Sequence, residues 1–480
     1  MGNAVFDADT IEGIEVKTNV KIVGIIFAKD KAANEIKENW EGRLEKIKKI
    51  IKSWMRRNLT IIGKIQVIKT FLLSQLVYIM QSILINNEII NEINTLFYRF
   101  IWKKDTIDKK AWERVKRIVL CNAKVNGGME MINLHVFQKS FLLDWACKLL
   151  KEDQEDWKTI PISFLKSLGG LSVFKNNVDS KTIIGLENVT SKFWKSVICA
   201  WLENNETDGL IRLNDTINNN RHIIMNNQVL YIERAIQFNI LYLRDMFLNG
   251  QIISFDMYEL KVGRYHTNIF DYLKIKSAIL KIKDKIIDNE DNQMSFKLKQ
   301  INNIDRKKIY QLIKKDEKCF CEAMWENRFG YKLCPETWNN LFKNIKETKL
   351  LEMQWKILHN IYPTNVILKK IGIKQTEKCD FCNEIDYVEH TFFNCNRLKM
   401  FWEAISSLIN KKLNKKIYLS EKSVLLGIEQ EHHNLRKEEL KFINLIILIG
   451  KLSIIKSKFY QMINLNTLFE KEVNLREVFL

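Results

Sequence analysis

Four side chains that favour soft or borderline metals fall within seventeen residues: Cys379, Cys382, His390 and Cys395, spaced C-x2-C-x7-H-x4-C. A closed tetrahedral zinc site takes four such ligands and leaves no position for a reacting water. The paired cysteines suit a knuckle that presents two thiolates to one ion. Glu389-His390-Thr391-Phe392-Phe393 reads as a short helical turn that brings His390 and Cys395 in from the other side. With nine cysteines and seven histidines in 480 residues, chance alignment at ligand spacing is the poorer explanation. The spacing predicts one structural Zn2+. No Asp, Glu or His stands where it would activate a bound water, so no catalytic residue is expected.

Other candidates have blander readings. Cys319-Phe320-Cys321 and Cys334 would need His359 and a further ligand to hold a second ion, and no fourth ligand is suitably spaced. His359 ends an apolar helix and is expected to be satisfied there; His432-His433 reads as a surface pair. Between Arg43 and Lys69 stand nine Lys or Arg and a single acidic residue, Glu45. Ordinary exposed helices interleave both signs to gain i,i+4 pairs, so a one-sided run points to a polyanion.

The elements that must carry these residues are mostly helical. Lys21–Phe27 reads as a buried strand. Trp40, Leu44, Ile47, Ile51 and Trp54 form one apolar helical stripe, and Asn58 or Thr60 can cap a second helix with Ile61, Ile65, Ile68, Leu72 and Leu76 inward. Ile89, Ile93, Phe97 and Phe100 mark a third helix, and Gly127-Gly128 marks a turn. From about 151 to 320 the pattern weakens, and asparagine clusters such as Asn218-Asn219-Asn220 read as loops. Leu351, Trp355 and Leu358 line a helix ending before Pro363; Thr364 can cap the next, and Gly372 suits its C-terminal end. Phe401-Trp402 opens another helix, and about 436–463 reads as one long apolar one. The expected fold class is mainly α: a helical bundle, a helical connecting region and a small CCHC zinc-binding C-terminal domain.

A net charge of +19 favours polyanionic partners, although Lys, Ile and Asn are also the residues of A/T-rich codons. Hydrophobic content of 46 % is ample for buried cores. Nine cysteines without a regular framework suit a reducing compartment. Neither a signal peptide nor a membrane span is expected, and cytoplasm and nucleus are the expected locations.

Two separated patterns resemble one family. The first runs Lys21-Ile-Val-Gly-Ile25, Trp40, Trp54-x-Arg56-Arg57-x-Leu59-Thr60-x-x-Gly63-Lys64-x-x-Val67-Ile68-Lys69, Phe100-Ile101-Trp102 and Gly127-Gly128. The second runs Gln354-Trp355-Lys356-Ile357-Leu358-His359, Pro363-Thr364-Asn365, Gly372-Ile373, the four metal ligands and Phe401-Trp402. Together they resemble the second open reading frame of LINE-type non-LTR retrotransposons, downstream of its polymerase active site and including its reverse-transcriptase zinc-binding domain. Each motif alone is loose; their shared order makes the likeness specific.

The resemblance implies a division into a palm-edge remnant (1–37), a thumb (38–150), a connecting region (151–345), the zinc-binding domain (346–404) and a helical tail (405–480). Val23 and Gly24 would lie beside the primer terminus. Arg56, Arg57, Lys64 and Lys69 would hold template–primer phosphates, with Gly63 exposing N–H groups at a helix start. Reverse transcriptases hold two metal ions with paired carboxylates, which the family carries in an aromatic-x-Asp-Asp turn. No Asp-Asp pair occurs here, and Asp7-Ala8-Asp9 has the wrong spacing. The implied protein is therefore a truncated copy of an RNA-directed DNA polymerase, inactive alone. It would bind RNA and DNA in target-primed reverse transcription, with other retrotransposon-encoded proteins as further partners and no membrane. Two other functions stay open: a host-adapted zinc protein binding nucleic acid, and a helical protein-interaction module in which zinc is purely structural.

Overall fold

The computed structural model describes residues 10–11, 14–15, 19–28, 32–102, 113–151, 153–174, 177–178, 183–204, 209–287, 305–333, 335–428, 435–459 and 464–476. The fold is mainly helical, with a few two- to four-residue strands. It divides into two compact units: residues 1–76, 88–133 and 315–480 form one, and residues 77–87 and 134–314 the other. Among the described residues no single helix is long and apolar enough to cross a membrane.

After a short antiparallel pair at Thr10–Ile11 and Ile14–Glu15, the first unit has a hairpin of β1 (Asn19–Ile22) and β2 (Ile25–Ala28). One buried strand was expected here. Val23 and Gly24 instead take φ of +48° and +80° and turn the chain. Only Ile25 is buried, while Ile22 and Val23 are exposed. Two consecutive left-handed residues match the twist of a two-residue hairpin, and Gly24 supplies one of them without strain. The side chain of Asn39 clips this hairpin to the following helix, accepting from the N–H of Ile26 at 3.0 Å and donating to its carbonyl at 2.7 Å.

That helix is α1 (Ala32–Met55); of its expected stripe Trp40, Leu44, Ile47 and Ile51 are buried, and Trp54 is half-buried. Helix α2 (Ile61–Val67) begins at Thr60 and runs into a π-helical turn at Ile68–Leu72. Ile61, Ile65, Ile68, Leu72 and Leu76 are all buried. Helix α3 (Asn87–Trp102) buries Ile93, Phe97 and Phe100 of the expected face and leaves Ile89 half-buried. After the long excursion into the second unit come α4 (Phe320–Phe329), α5 (Pro335–Asn344), α6 (Thr348–Leu358), α7 (Asn365–Lys370), α8 (Lys399–Leu413), α9 (Glu421–Leu426), α10 (Lys437–Phe459) and α11 (Leu465–Asn474). Gly372 follows α7 with φ +74°, and Ile373 N–H reaches back to the Leu368 carbonyl at 2.9 Å, closing the helix as expected. Helices α8, α10 and α11 share one core, with Phe401, Trp402, Ile405, Ile443, Ile446, Ile447 and Phe469 packed together.

The Gly127-Gly128 turn lies against α5 and α6. A Cβ on Gly127 would stand 2.9 Å from the Trp338 ring, and one on Gly128 would stand 2.1 Å from the Asn122 carbonyl oxygen. The Gly127 carbonyl accepts from Trp355 Nε1 at 2.9 Å and pairs with His359 Nε2 at 2.8 Å. Both glycines are there because backbone and rings approach too closely for a side chain.

In the second unit, helices Leu134–Leu149, Lys192–Asn204 and Arg306–Ile313 share a core that includes Leu143, Ala146, Val197, Trp201 and Ile309. A separate core gathers Ile217, Leu243, Met246, Tyr272 and Ile275. The asparagine triplet lies in a loop, as expected, and that loop is buried. Asn218 accepts from Ile232 N–H, Asn219 brackets both backbone groups of Ile184, and Asn220 donates to the Thr216 carbonyl. These side chains do in an irregular core what ladder hydrogen bonds do in a sheet.

Candidate metal centre

The four sequence-predicted ligands converge. Cys379 Sγ, Cys382 Sγ, a ring nitrogen of His390 and Cys395 Sγ lie within 4.8 Å of one another. Cys382 Sγ stands 3.0 Å from His390 Nε2 and 3.7 Å from Cys395 Sγ. The knuckle is a tight turn: Cys379 N–H donates to the Glu384 carbonyl at 2.6 Å, and Asn383 takes a left-handed φ of +68°. His390–Asn394 forms a single π-helical turn, so His390 and Cys395 arrive from its two ends. Cys379, His390 and Cys395 are buried and Cys382 is half-buried.

The electrostatics fit a cation. Burial, followed by the nearby Cys379 and Cys382, pushes the Cys395 thiol up to about 12. Three thiolates this close repel in a low-dielectric site, so they ionise together only around a positive ion. Burial also lowers His390, which favours the neutral ring that a metal needs. The Arg397 guanidinium lies 3.4 Å from the centroid of the Phe381 ring, next to Cys395 and Cys379, where it would offset the net negative charge of three thiolates around a divalent ion. The donor set therefore fits a soft or borderline metal, with no open protein-side position.

Residues outside the ligand spacing position the cluster. Fully buried Asp386 accepts from Asn365 N–H at 3.0 Å, Thr391 Oγ1 at 2.5 Å and Lys458 Nζ at 3.0 Å. Asn365 Nδ2 donates to the Lys378 carbonyl at 2.7 Å, and Trp402 Nε1 donates to the Phe392 carbonyl at 2.8 Å. Thr364 stands at the N-cap of α7 as expected, but its side chain makes no capping bond. The Asp386 carboxylate serves that helix end instead, because charge-assisted acceptance outweighs a hydroxyl.

The residues expected to meet nucleic acid separate into two groups. Arg56 and Arg57 are exposed just past α1, with Arg57 stacked 4.3 Å from the Trp54 ring centroid. Lys46, Lys49 and Lys52 precede them at exposed helical positions three residues apart. Lys64 is turned inward: it is buried, and its ammonium donates to the Ile101 carbonyl at 3.2 Å beside the Phe100 ring. Lys69 lies 4.0 Å from Glu130. At the start of α2, Gly63 N–H is taken by Thr60 Oγ1 at 3.2 Å and Ile61 N–H by the Glu352 carboxylate at 2.8 Å. The N–H group expected to meet a phosphate at Gly63 is thus paired with the Thr60 hydroxyl, and the Glu352 carboxylate occupies the same helix start. Val23 and Gly24 form the hairpin turn described above.

His359 is satisfied through Gly127 as expected, while Cys334, His432-His433 and Asp7-Ala8-Asp9 lie outside the described residues. Sequence reasoning missed Asp386, Arg397 and Glu352, and gave Asn365 no role.

Residues 306–402 match the family described as zinc-binding in reverse transcriptase. All four clustered ligands lie in that segment. A stretch of 124 residues is 25 % identical to an Arabidopsis thaliana protein provisionally named a ribonuclease H protein. The stretch covers 26 % of this chain and 20 % of that protein, so the chain spans about a fifth of the relative it matches. The chain thus carries a reverse-transcriptase-related zinc-binding segment.

Proposed function

We propose that this chain is the nucleic-acid-binding, zinc-bearing part of a LINE-type retrotransposon reverse transcriptase, acting in target-primed reverse transcription in the cytoplasm and nucleus. The observation that carries the reading is the Cys379–Cys382–His390–Cys395 cluster inside the segment matched to the reverse-transcriptase zinc-binding family. In this reading the cluster holds one structural zinc ion. The metal-bound knuckle is rigid because structural zinc contributes about 10–16 kcal/mol of apparent binding energy in small fingers.

The nucleic-acid contact rests on the exposed row Lys46, Lys49, Lys52, Arg56 and Arg57. At 1.5 Å per helical residue the row extends about 15 Å along α1, enough to follow several phosphates of one strand. Such contacts position a duplex without reading its sequence.

The test is the salt dependence of the full chain's binding to an RNA–DNA hybrid. Five neutralised phosphates give a slope near about −4.5 in log K against log salt, or roughly 10²–10³ in affinity between 50 and 200 mM. Replacing all five basic residues with alanine is expected to remove most of that slope for every sequence tried. Lys64→Met is expected to lower thermal stability and leave the slope alone, because its amine faces Ile101. A quintuple variant with the parental slope would refute the interface.

A further inference from the structure

Cys319, Cys321 and His359 are brought together in the first unit by two helix ends that meet. Cys319 is the N-cap of α4 and Cys321 lies in its first turn, while His359 closes the C-terminus of α6. Both cysteines are buried. Their Sγ atoms and a ring nitrogen of His359 lie within 4.8 Å of one another, with Cys321 Sγ 3.7 Å from Nδ1.

A sulfur and an imidazole nitrogen that share a tetrahedral ion stand about 3.5 Å apart, given metal–sulfur and metal–nitrogen bonds near 2.3 and 2.0 Å. The observed spacing needs little adjustment to accept one. The other ring nitrogen is already committed: Nε2 donates to the Gly127 carbonyl at 2.8 Å. That bond fixes the tautomer and leaves the Nδ1 lone pair facing the sulfurs, the arrangement by which outer hydrogen bonds orient ligating histidines. Trp338 and Trp355 hold the ring, with centroids 5.1 and 4.3 Å away. Burial pushes His359 down to about 4, which keeps it neutral and ligand-competent at ordinary pH. Without a metal, the Cys319 hydrogen bond and burial hold the Cys321 thiol well above its usual range, so loading must displace protons.

We propose that Cys319, Cys321 and His359 form a second, three-ligand site for a thiophilic d10 ion, independent of the Cys379–Cys395 cluster. Copper(I) accepts such a trigonal set outright, and zinc would complete it with one non-protein ligand. The ion would pin the start of α4 to the end of α6 and, through His359, to the Gly127-Gly128 turn.

The experiment counts metal on the full chain by native mass spectrometry and elemental analysis, after saturation with zinc alone or with zinc plus anaerobic copper(I). Two ions per chain are expected, two zinc in the first arm and one of each metal in the second. The Cys319→Ser/Cys321→Ser variant should keep one ion, as should Cys382→Ser/Cys395→Ser. The two losses are separate, so either site can fail without the other. A wild-type chain that never exceeds one ion in either arm overturns the proposal, and so does a Cys319→Ser/Cys321→Ser variant that still holds two. Should that variant not fold, X-ray absorption on the loaded wild type decides. The second ion adds a shell of two sulfurs and lowers the average below three per metal; an average of three sulfurs overturns the site.

Discussion

Asp386 offers no oxygen to the Cys3His cluster, yet it ties Asn365, Thr391 and Lys458 to the segment between the second cysteine and the histidine. Replacing it with asparagine keeps the volume and removes the charge that Lys458 pairs with. Breaking a buried pair on one side costs about 3–5 kcal/mol, and Lys458 keeps some solvent contact, so about 2–3 kcal/mol is the expected loss. Metal affinity should fall by roughly 10-fold or more, as it does when supporting residues of metal ligands are removed. Thermal unfolding and competitive zinc titration of Asp386→Asn check both, and parental values in both would show the carboxylate to be a bystander. The four ligands were legible in the sequence because ligand chemistry imposes a spacing. Asp386 was not, because its partners Asn365 and Lys458 lie 21 and 72 residues away in sequence and nothing local marks them. Arg397 and Glu352 were hidden for the same reason.

Helix ends show the same contrast. The apolar stripes of α1 to α3 were legible because burial on one face must repeat with the helical period. The strand expected at Lys21–Phe27 was misread because a continuous apolar run does not announce a turn, and only the Val23-Gly24 backbone does. The capping of α10 was equally silent. Glu439, in its first turn, accepts from Arg436 N–H at 2.7 Å and from Lys415 Nζ at 2.7 Å. The Lys415 and Arg436 hydrogen bonds hold its carboxyl down to about 2, against 4.5 for a free glutamate. A depressed folded-state value stabilises the fold above the unfolded value and loses that contribution as pH falls from about 4.5 towards 2. Glu439→Gln should therefore be less stable than the parent at pH 6 and approach it near pH 2. Chemical denaturation across that range is the measurement. A stability difference that does not change with pH would mean that the ionised carboxylate does not cap α10.

The whole chain carries a net charge of +19, and its described basic residues are not uniformly available. Some, such as Lys64, Lys158 and Lys451, are spent on backbone carbonyls or amides inside the fold. Net charge alone therefore overstates the surface offered to a polyanion, and the α1 row is the better guide. Nucleotidyl transfer through two metal ions needs paired carboxylates, and no Asp-Asp pair occurs in the 480 residues. The purified chain is expected to leave a primer on an RNA template unextended with magnesium or manganese. Steady extension after removal of contaminating polymerases would overturn that expectation.

The division into units also dictates an order of birth. The first unit draws on residues before 77, between 88 and 133, and beyond 314, whereas the second is complete by residue 314. At about 5–20 residues per second of synthesis, the N–H of Ile61 waits roughly 15–60 s for the carboxylate of Glu352, 291 residues later. The Gly127 carbonyl waits for Trp355 across 228 residues. On the ribosome, these contacts of α2 and of the Gly127 turn form only after all residues of the second unit have been made. The first unit is thus finished after the second, although it contributes α1 and α2, which precede every residue of the second.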